Sequence, residues 1–129
     1  MILGFRKEFS EGQPTNFKEK ILAHTKIHTI RLDKHHRWKA GRSIQFATGV
    51  RTKNYNQFLD GECKSVQSIK IGHIYNNQAV IIIVDRKVLT TDTVIELVKN
   101  DGFDNLDDFC KWFNKDFSGV IVHWTDLKY

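Results

Sequence analysis

Lys26-Ile27-His28-Thr29-Ile30-Arg31 is the stretch on which the reading of this chain turns. Its alternation predicts an extended segment over Lys26 to Leu32, with Ile27, Thr29 and Arg31 on one face and His28, Ile30 and Leu32 on the other. A helix leads directly into it, capped by Thr15 or Asn16 and carrying Phe17, Ile21 and His24 on one stripe. On a strand, Thr29 and Arg31 stand side by side, and Lys26 sits at the beginning, where the chain bends. A cation beside a hydroxyl can hold a phosphate or polarise a nucleophile. The same pattern also describes an edge strand that shows its charges to solvent.

Around this stretch the charge is uneven. Residues 18–53 hold ten Lys or Arg against Glu19 and Asp33, whereas residues 85–126 hold nine carboxylates against five Lys or Arg. A basic face beside an acidic flank steers phosphate groups toward it, although a well-solvated surface has the same composition. The chain has 129 residues, 40% of them hydrophobic and 27% charged, which suits one globular domain over residues 1–129 with its own core. One proline and eight glycines leave no linker to divide it. Cys63 and Cys110 form no disulfide framework and no CxxC ligand pair, so a reducing, cytoplasmic setting is expected. The first residues reach charge too soon for a secretory signal, and the apolar run Ala79 to Val84 is far short of a membrane span.

Working outward, Ile2 to Phe9 reads as a first strand, broken by Glu11-Gly12-Gln13-Pro14. Trp38 to Gly41 turns the chain into Ser43 to Arg51, where Ile44, Phe46, Thr48 and Val50 share a face. Val66 to Ile74 and Gln78 to Val84 are further strands, joined by a hairpin turn at Tyr75-Asn76-Asn77. Asp85-Arg86-Lys87 makes a second tight turn. A helix from Asp92 to Asn100 buries Val94, Ile95, Leu97 and Val98, and Gly102 sits where its left-handed terminator belongs. The next helix begins near Asp104 or Asn105 and repeats Leu106, Phe109, Cys110 and Phe113. Val120 to Trp124 closes the chain. Strands dominate the middle and short helices interrupt them, so the fold class is α+β with a curved or barrel-like mixed sheet.

Two more features bear on chemistry. Asp101 lies at a helix C-terminus, where the macrodipole is negative and an acid is disfavoured, so it either shapes the turn or has a function. His28, His35, His36, Trp38, Phe46 and Tyr55 surround the cations, and aromatics among cations are what unstacked bases rest on. Phe and Trp are also the usual core residues, and Trp38 before a Gly turn can be a packing anchor. His35 and His36 point to opposite faces of an extended chain, with no partner at ligand spacing, so no metal or other cofactor is expected. Neither Cys63 nor Cys110 has an adjacent activating base.

Taken together these residues resemble the ASCH domain, a family of the PUA-like β-barrel group. The matching segments are Phe17 to Lys26, the strand Lys26 to Arg31, and the turn Trp38 to Gly41 leading to Ser43–Phe46. Glu96 to Phe103, followed by Leu106 to Phe113, matches the family's late helical pair. The resemblance implies a small curved barrel with short helices flanking a cleft, lined by the Lys-x-x-Thr-x-Arg strand and the helical junction. ASCH domains are proposed to bind RNA, and one bacterial branch hydrolyses N4-acetylcytidine with a lysine, a threonine and a carboxylate. These positions correspond to Lys26, Thr29 and Asp101, the last a methylene shorter than the family's glutamate. Arg42 stands where an acidic residue is common, and residues 52–62 read as an insertion.

Three functions follow as expectations. The first is a module holding RNA, a nucleotide or a nucleoside through Lys26, His28, Arg31, Arg37, Trp38, Arg42 and Arg51. The second is an amidohydrolase with Thr29 as nucleophile, Lys26 as base and Asp101 as acid–base partner. The third is a protein-interaction module that exposes Trp112 on the helical pair.

Overall fold

Apolar side chains two residues apart build two sheets that share one core. The computed structural model describes residues 1–10, 12–74 and 79–129. In the smaller sheet, β1 (Ile2–Phe5) pairs in parallel with β5 (Ser43–Thr48), which pairs antiparallel with β6 (Asn56–Glu62). The larger sheet contains β4 (His28–Arg31), β7 (Ser65–Ile74), β8 (Ala79–Val84), β9 (Lys87–Val88) and β10 (Phe117–His123), in the order β4-β10-β7-β8-β9. Leu3, Phe5, Ile44 and Phe46 from the first sheet meet Ile69, Ile71, Ile82, Val84 and Ile121 from the second in the buried core. The helices are α1 (Phe17–Leu22), α2 (Thr91–Asn100) and α3 (Leu106–Trp112). The fold class is α+β, as expected, but no closed hydrogen-bonded barrel is shown among the described residues.

Several sequence expectations are corrected. The first strand stops at Phe5 because Thr15 takes the next carbonyls: its Oγ1 donates to Arg6 O at 2.6 Å and its N–H to Lys7 O at 2.8 Å. Residues Glu8–Ser10 then form a separate short strand, β2, paired with β3 (Gln13–Pro14). The supposed insertion at residues 52–62 contains β6, paired with β5 through a bulge at Phe46 and Ala47. Helix α1 is shorter than its stripe predicts, and His24 is exposed at φ 62°. Asn16 is its N-cap residue without a side-chain cap bond, while Thr15 Oγ1 accepts from Phe17 N at 3.3 Å. Ile95 also lies outside the core of α2, at 44% exposed.

Other local readings agree with the structure. Asp85 and Arg86 both adopt positive φ between β8 and β9, as a tight hairpin turn requires. Asn105 caps α3 by accepting from Asp108 N at 2.8 Å. The Tyr75-Asn76-Asn77 turn and Gln78 lie outside the described residues. No helix among the described residues is long and apolar enough to cross a membrane.

Candidate functional site

The site is assembled where the end of α2 meets the start of β4. The last carbonyls of a helix lack intrahelical partners and carry its negative pole. Here the segment from α1 to β4 supplies the missing donors. Ile27 N–H reaches Asn100 O at 2.9 Å, Lys26 Nζ donates to Asp101 O, and Lys20 Nζ donates to Gly102 O at 2.7 Å. Gly102 then turns the chain at φ 95°, and a Cβ there would stand 2.9 Å from Lys26 Cδ. Glycine is needed both for the left-handed backbone and for the space the lysine occupies.

This stitching takes Lys26 out of water. The residue is 2% exposed, and its Nζ also donates to His28 O at 3.0 Å and lies 3.5 Å from Asp101 Oδ1. The ammonium stands over the Phe17 ring at 4.7 Å and the Phe5 ring at 5.6 Å. Burial pushes the Lys26 amine down to about 8; Asp101 opposes that shift, and Arg31 adds to it. A lysine in that range has a usable neutral fraction near neutral pH, which an ordinary surface lysine lacks.

Beside Lys26, β4 is an edge strand that pairs with β10 alone among the described residues, yet His28, Thr29 and Ile30 are buried. The edge is therefore covered rather than solvated. Arg31 Nε donates to Thr29 Oγ1 at 3.3 Å, as the strand period predicts. Its Nη2 donates to Gly4 O at 2.7 Å, and its guanidinium stands 5.1 Å from the Phe5 ring centre. Arg31 thus ties the edge of the larger sheet to β1.

Lys26, Thr29, Arg31 and Asp101 line one cavity of about 290 Å³. Its apolar walls include Phe5, Phe17, Phe103, Trp112, Phe113 and Phe117. Asp101, at 3% exposed, presents Oδ1 to His28 Nδ1 at 3.0 Å and to Lys26, which offsets the cost of an acid at the end of α2. A more open recess of about 560 Å³ lies alongside and shares Gly4, Phe5 and Arg6, but it holds none of those four chemically active residues. The smaller cavity is therefore the better candidate site. Within it, no hydrogen bond joins Lys26 Nζ to Thr29 Oγ1 among the described residues; the lysine is engaged with backbone carbonyls and Asp101.

The remaining sequence candidates sit elsewhere. His28 is fully buried, with Nδ1 on Asp101 and Nε2 2.6 Å from Tyr129 Oη, so it offers no free face to a nucleic acid. Trp38 is 8% exposed and belongs to the core, and its backbone N–H donates to Asp33 Oδ2 at 3.0 Å. Arg37, Arg42 and Arg51 are exposed and none lines the cavity; Arg42 Nε donates to Arg37 O at 2.9 Å. Trp112 packs with Phe9, Phe17 and Phe103 at 5.7–5.8 Å and carries Arg6 over its ring at 5.1 Å. Its indole forms cavity wall as well as surface.

Sequence reasoning missed Arg6, Gly4 and the aromatic walls, because aromatics at helical spacing look the same whether they fill a core or line a cleft. It also missed Tyr129 and Asn100, for which no sequence signal existed. Among the described residues, no three His, Cys, Asp or Glu side chains gather as a metal ligand set. Compared with known proteins, the chain matches no family model, no curated protein and no solved structure.

Proposed function

We propose that this chain is an ASCH-type domain whose Lys26–Arg31 pocket holds a single base or nucleoside of RNA. The observation that carries this reading is the meeting of Lys26, Thr29, Arg31 and Asp101 in one aromatic-walled cavity. Its volume of about 290 Å³ is at the small end of ligand pockets. It suits one base rather than a stretch of chain. Aromatic rings can pack against a base, and the polar groups can bond its edge. The PUA-like barrel belongs to the same proposal. It is supported where Arg31 bridges β4 to β1 and where Lys64 N donates to His123 O at 2.8 Å, just beyond β6.

Calorimetry with cytidine, N4-acetylcytidine and a short single-stranded RNA tests the reading. Binding is expected to weaken on Lys26→Ala and Arg31→Ala, and RNA binding to fall as salt rises. No binding of any of these ligands at low salt would remove it.

A second reading, amide hydrolysis, is favoured by one observation: Lys26 is buried in the same cavity that Thr29 and Asp101 line, where loss of water lowers its amine to about 8. Thr29 Oγ would attack the acyl carbon of an N4-acylated cytidine as the neutral Lys26 amine takes its proton. This requires the amine to turn from its carbonyl partners toward Thr29. Collapse of the tetrahedral intermediate breaks the C–N bond, and the departing amine receives the proton that Lys26 took from Thr29, passed on through the Asp101 carboxylate. Water then hydrolyses the acyl-Thr29 ester, releasing the acid and restoring the hydroxyl. Chromatography of N4-acetylcytidine incubated with the protein tests this step. Turnover that survives Thr29→Ala excludes Thr29 as the nucleophile.

A further inference from the structure

Behind the cavity a chain of polar groups ends on Asp101, and neither reading uses its other members. Asn100 Nδ2 donates to Tyr129 Oη at 3.0 Å, Tyr129 Oη lies 2.6 Å from His28 Nε2, and His28 Nδ1 lies 3.0 Å from Asp101 Oδ1. The residues come from the end of α2, from the start of β4 and from position 129, so the chain is entirely a product of the fold. Tyr129 is itself clamped: its N–H donates to Gln67 Oε1 and its carbonyl accepts from Gln67 Nε2, each at 2.9 Å. Gln67 is held in turn by Asp85 Oδ2 at 3.0 Å and by His123 Nε2 at 2.9 Å.

The proton inventory fixes the direction of this chain. The Asp101 carboxylate can only accept, so His28 Nδ1 carries the ring proton and donates to it. The neutral ring then leaves Nε2 bare, to accept from the Tyr129 hydroxyl, whose oxygen accepts in turn from Asn100 Nδ2. Burial disfavours the charged forms of both middle members, lowering the His28 pKa and raising that of Tyr129. Each hydrogen bond therefore points from Asn100 toward the carboxylate. Oδ1 is the oxygen that both His28 and Lys26 address, and Oδ2 has no hydrogen-bonding partner among the described residues.

We infer that His28 and Tyr129 are positioning residues of the pocket: Tyr129 holds His28 in the tautomer that donates to Asp101, and His28 fixes the rotation of Asp101 beside Lys26. This assigns His28, expected from the sequence to touch nucleic acid, a role behind the site. The functional meaning of the relay rests on the proposed pocket, but its existence is measurable without any ligand.

The experiment is nitrogen NMR of the intact chain, following the His28 ring and the Lys26 amine through a pH series in the parent protein, Tyr129→Phe, His28→Asn and His28→Leu. In the parent, His28 is expected as the Nδ1–H tautomer throughout the neutral range. Tyr129→Phe keeps the ring and removes the hydroxyl, so the Nδ1–H preference is expected to weaken. Losing the His28 donor leaves the Asp101 charge to Lys26 alone, which favours the ammonium and moves the lysine midpoint above about 8 in His28→Leu. His28→Asn, whose side-chain amide can replace the Nδ1 donor, is expected to restore most of that midpoint and serves if the leucine variant does not fold. A His28 ring with its proton on Nε2 in the parent overturns the inference. So does a Lys26 midpoint that stays put in His28→Leu, or, where that variant does not fold, a His28 ring whose Nδ1–H preference is unchanged in Tyr129→Phe. Failure of nucleoside binding, by contrast, removes the functional reading and leaves both NMR results standing.

Discussion

The segment Lys26–Arg31 and the loop from Asp33 to Arg42 are neighbours in sequence and similarly basic, yet the fold treats them oppositely. In the first segment, Lys26 and His28 are buried and Arg31 is committed to Thr29 and Gly4. In the loop, Lys34, Arg37, Lys39 and Arg42 are exposed. A charge in water is screened and interacts weakly, whereas a charge without water must be matched by partners and has its proton affinity changed by them. Only the first region has been given an environment that alters its chemistry. The basic character that drew attention to both regions is therefore not what distinguishes them.

The largest expected effect comes from breaking the buried region. Lys26→Met leaves Asp101 and two backbone carbonyls without their cation, and truncating one member of a buried pair costs about 3–5 kcal/mol. Urea unfolding measures it, and Lys26→Met with Asp101→Asn should recover part of the loss. A cost near zero would mean that Lys26 is as free as the loop lysines.

The next prediction concerns pH. The unfolded chain holds the Lys26 proton up to its ordinary value of 10.5, whereas the folded chain releases it at about 8. Between those values the unfolded state binds more protons, so this group makes stability rise with pH across that window. The difference in unfolding free energy between the parent and Lys26→Met should grow by up to about 3 kcal/mol from pH 8 to 10.5. On the hydrolytic reading, turnover also rises with pH, through a midpoint of about 8.

Thr29→Ala removes one buried hydroxyl that accepts from Arg31, a loss of about 1 kcal/mol by calorimetry. It should nevertheless abolish turnover on an acylated cytidine if Thr29 is the nucleophile. The smallest effects belong to the loop and its surroundings: Arg37→Ala, Arg42→Ala and Arg51→Ala should each change stability by no more than about 0.5 kcal/mol. Nucleoside affinity should be unchanged in all three. An arginine variant that weakens nucleoside binding as much as Lys26→Ala would erase the contrast between the two regions.

Much of this site was legible before the fold was known, and the reason is local. A period of two places Thr29 beside Arg31 wherever the strand lies, and the structure joins them at 3.3 Å. Gly102 marks the end of α2 because its φ of 95° suits glycine, which also identifies Asp101 as an acid at an unfavourable helix end. Strand β6 was not legible, because most of its side chains are exposed and its pairing with β5 is interrupted by a bulge. His28 and Trp38 were misplaced because an amphipathic ring among cations reads equally as a surface contact or a core residue.

What the sequence determined by itself was a set of short-range facts: that Thr29 and Arg31 share a face, that a glycine ends α2, and that Asn105 opens α3. These follow from backbone sterics and side-chain period, which act over a few residues. Which cations would lose their water was decided only by tertiary structure. The pocket brings together Phe5, Phe17, Lys26, Asp101 and Trp112, and Tyr129 closes a relay behind it, from elements spread along the whole chain. Desolvation depends on everything that surrounds a group, so no local pattern can carry it.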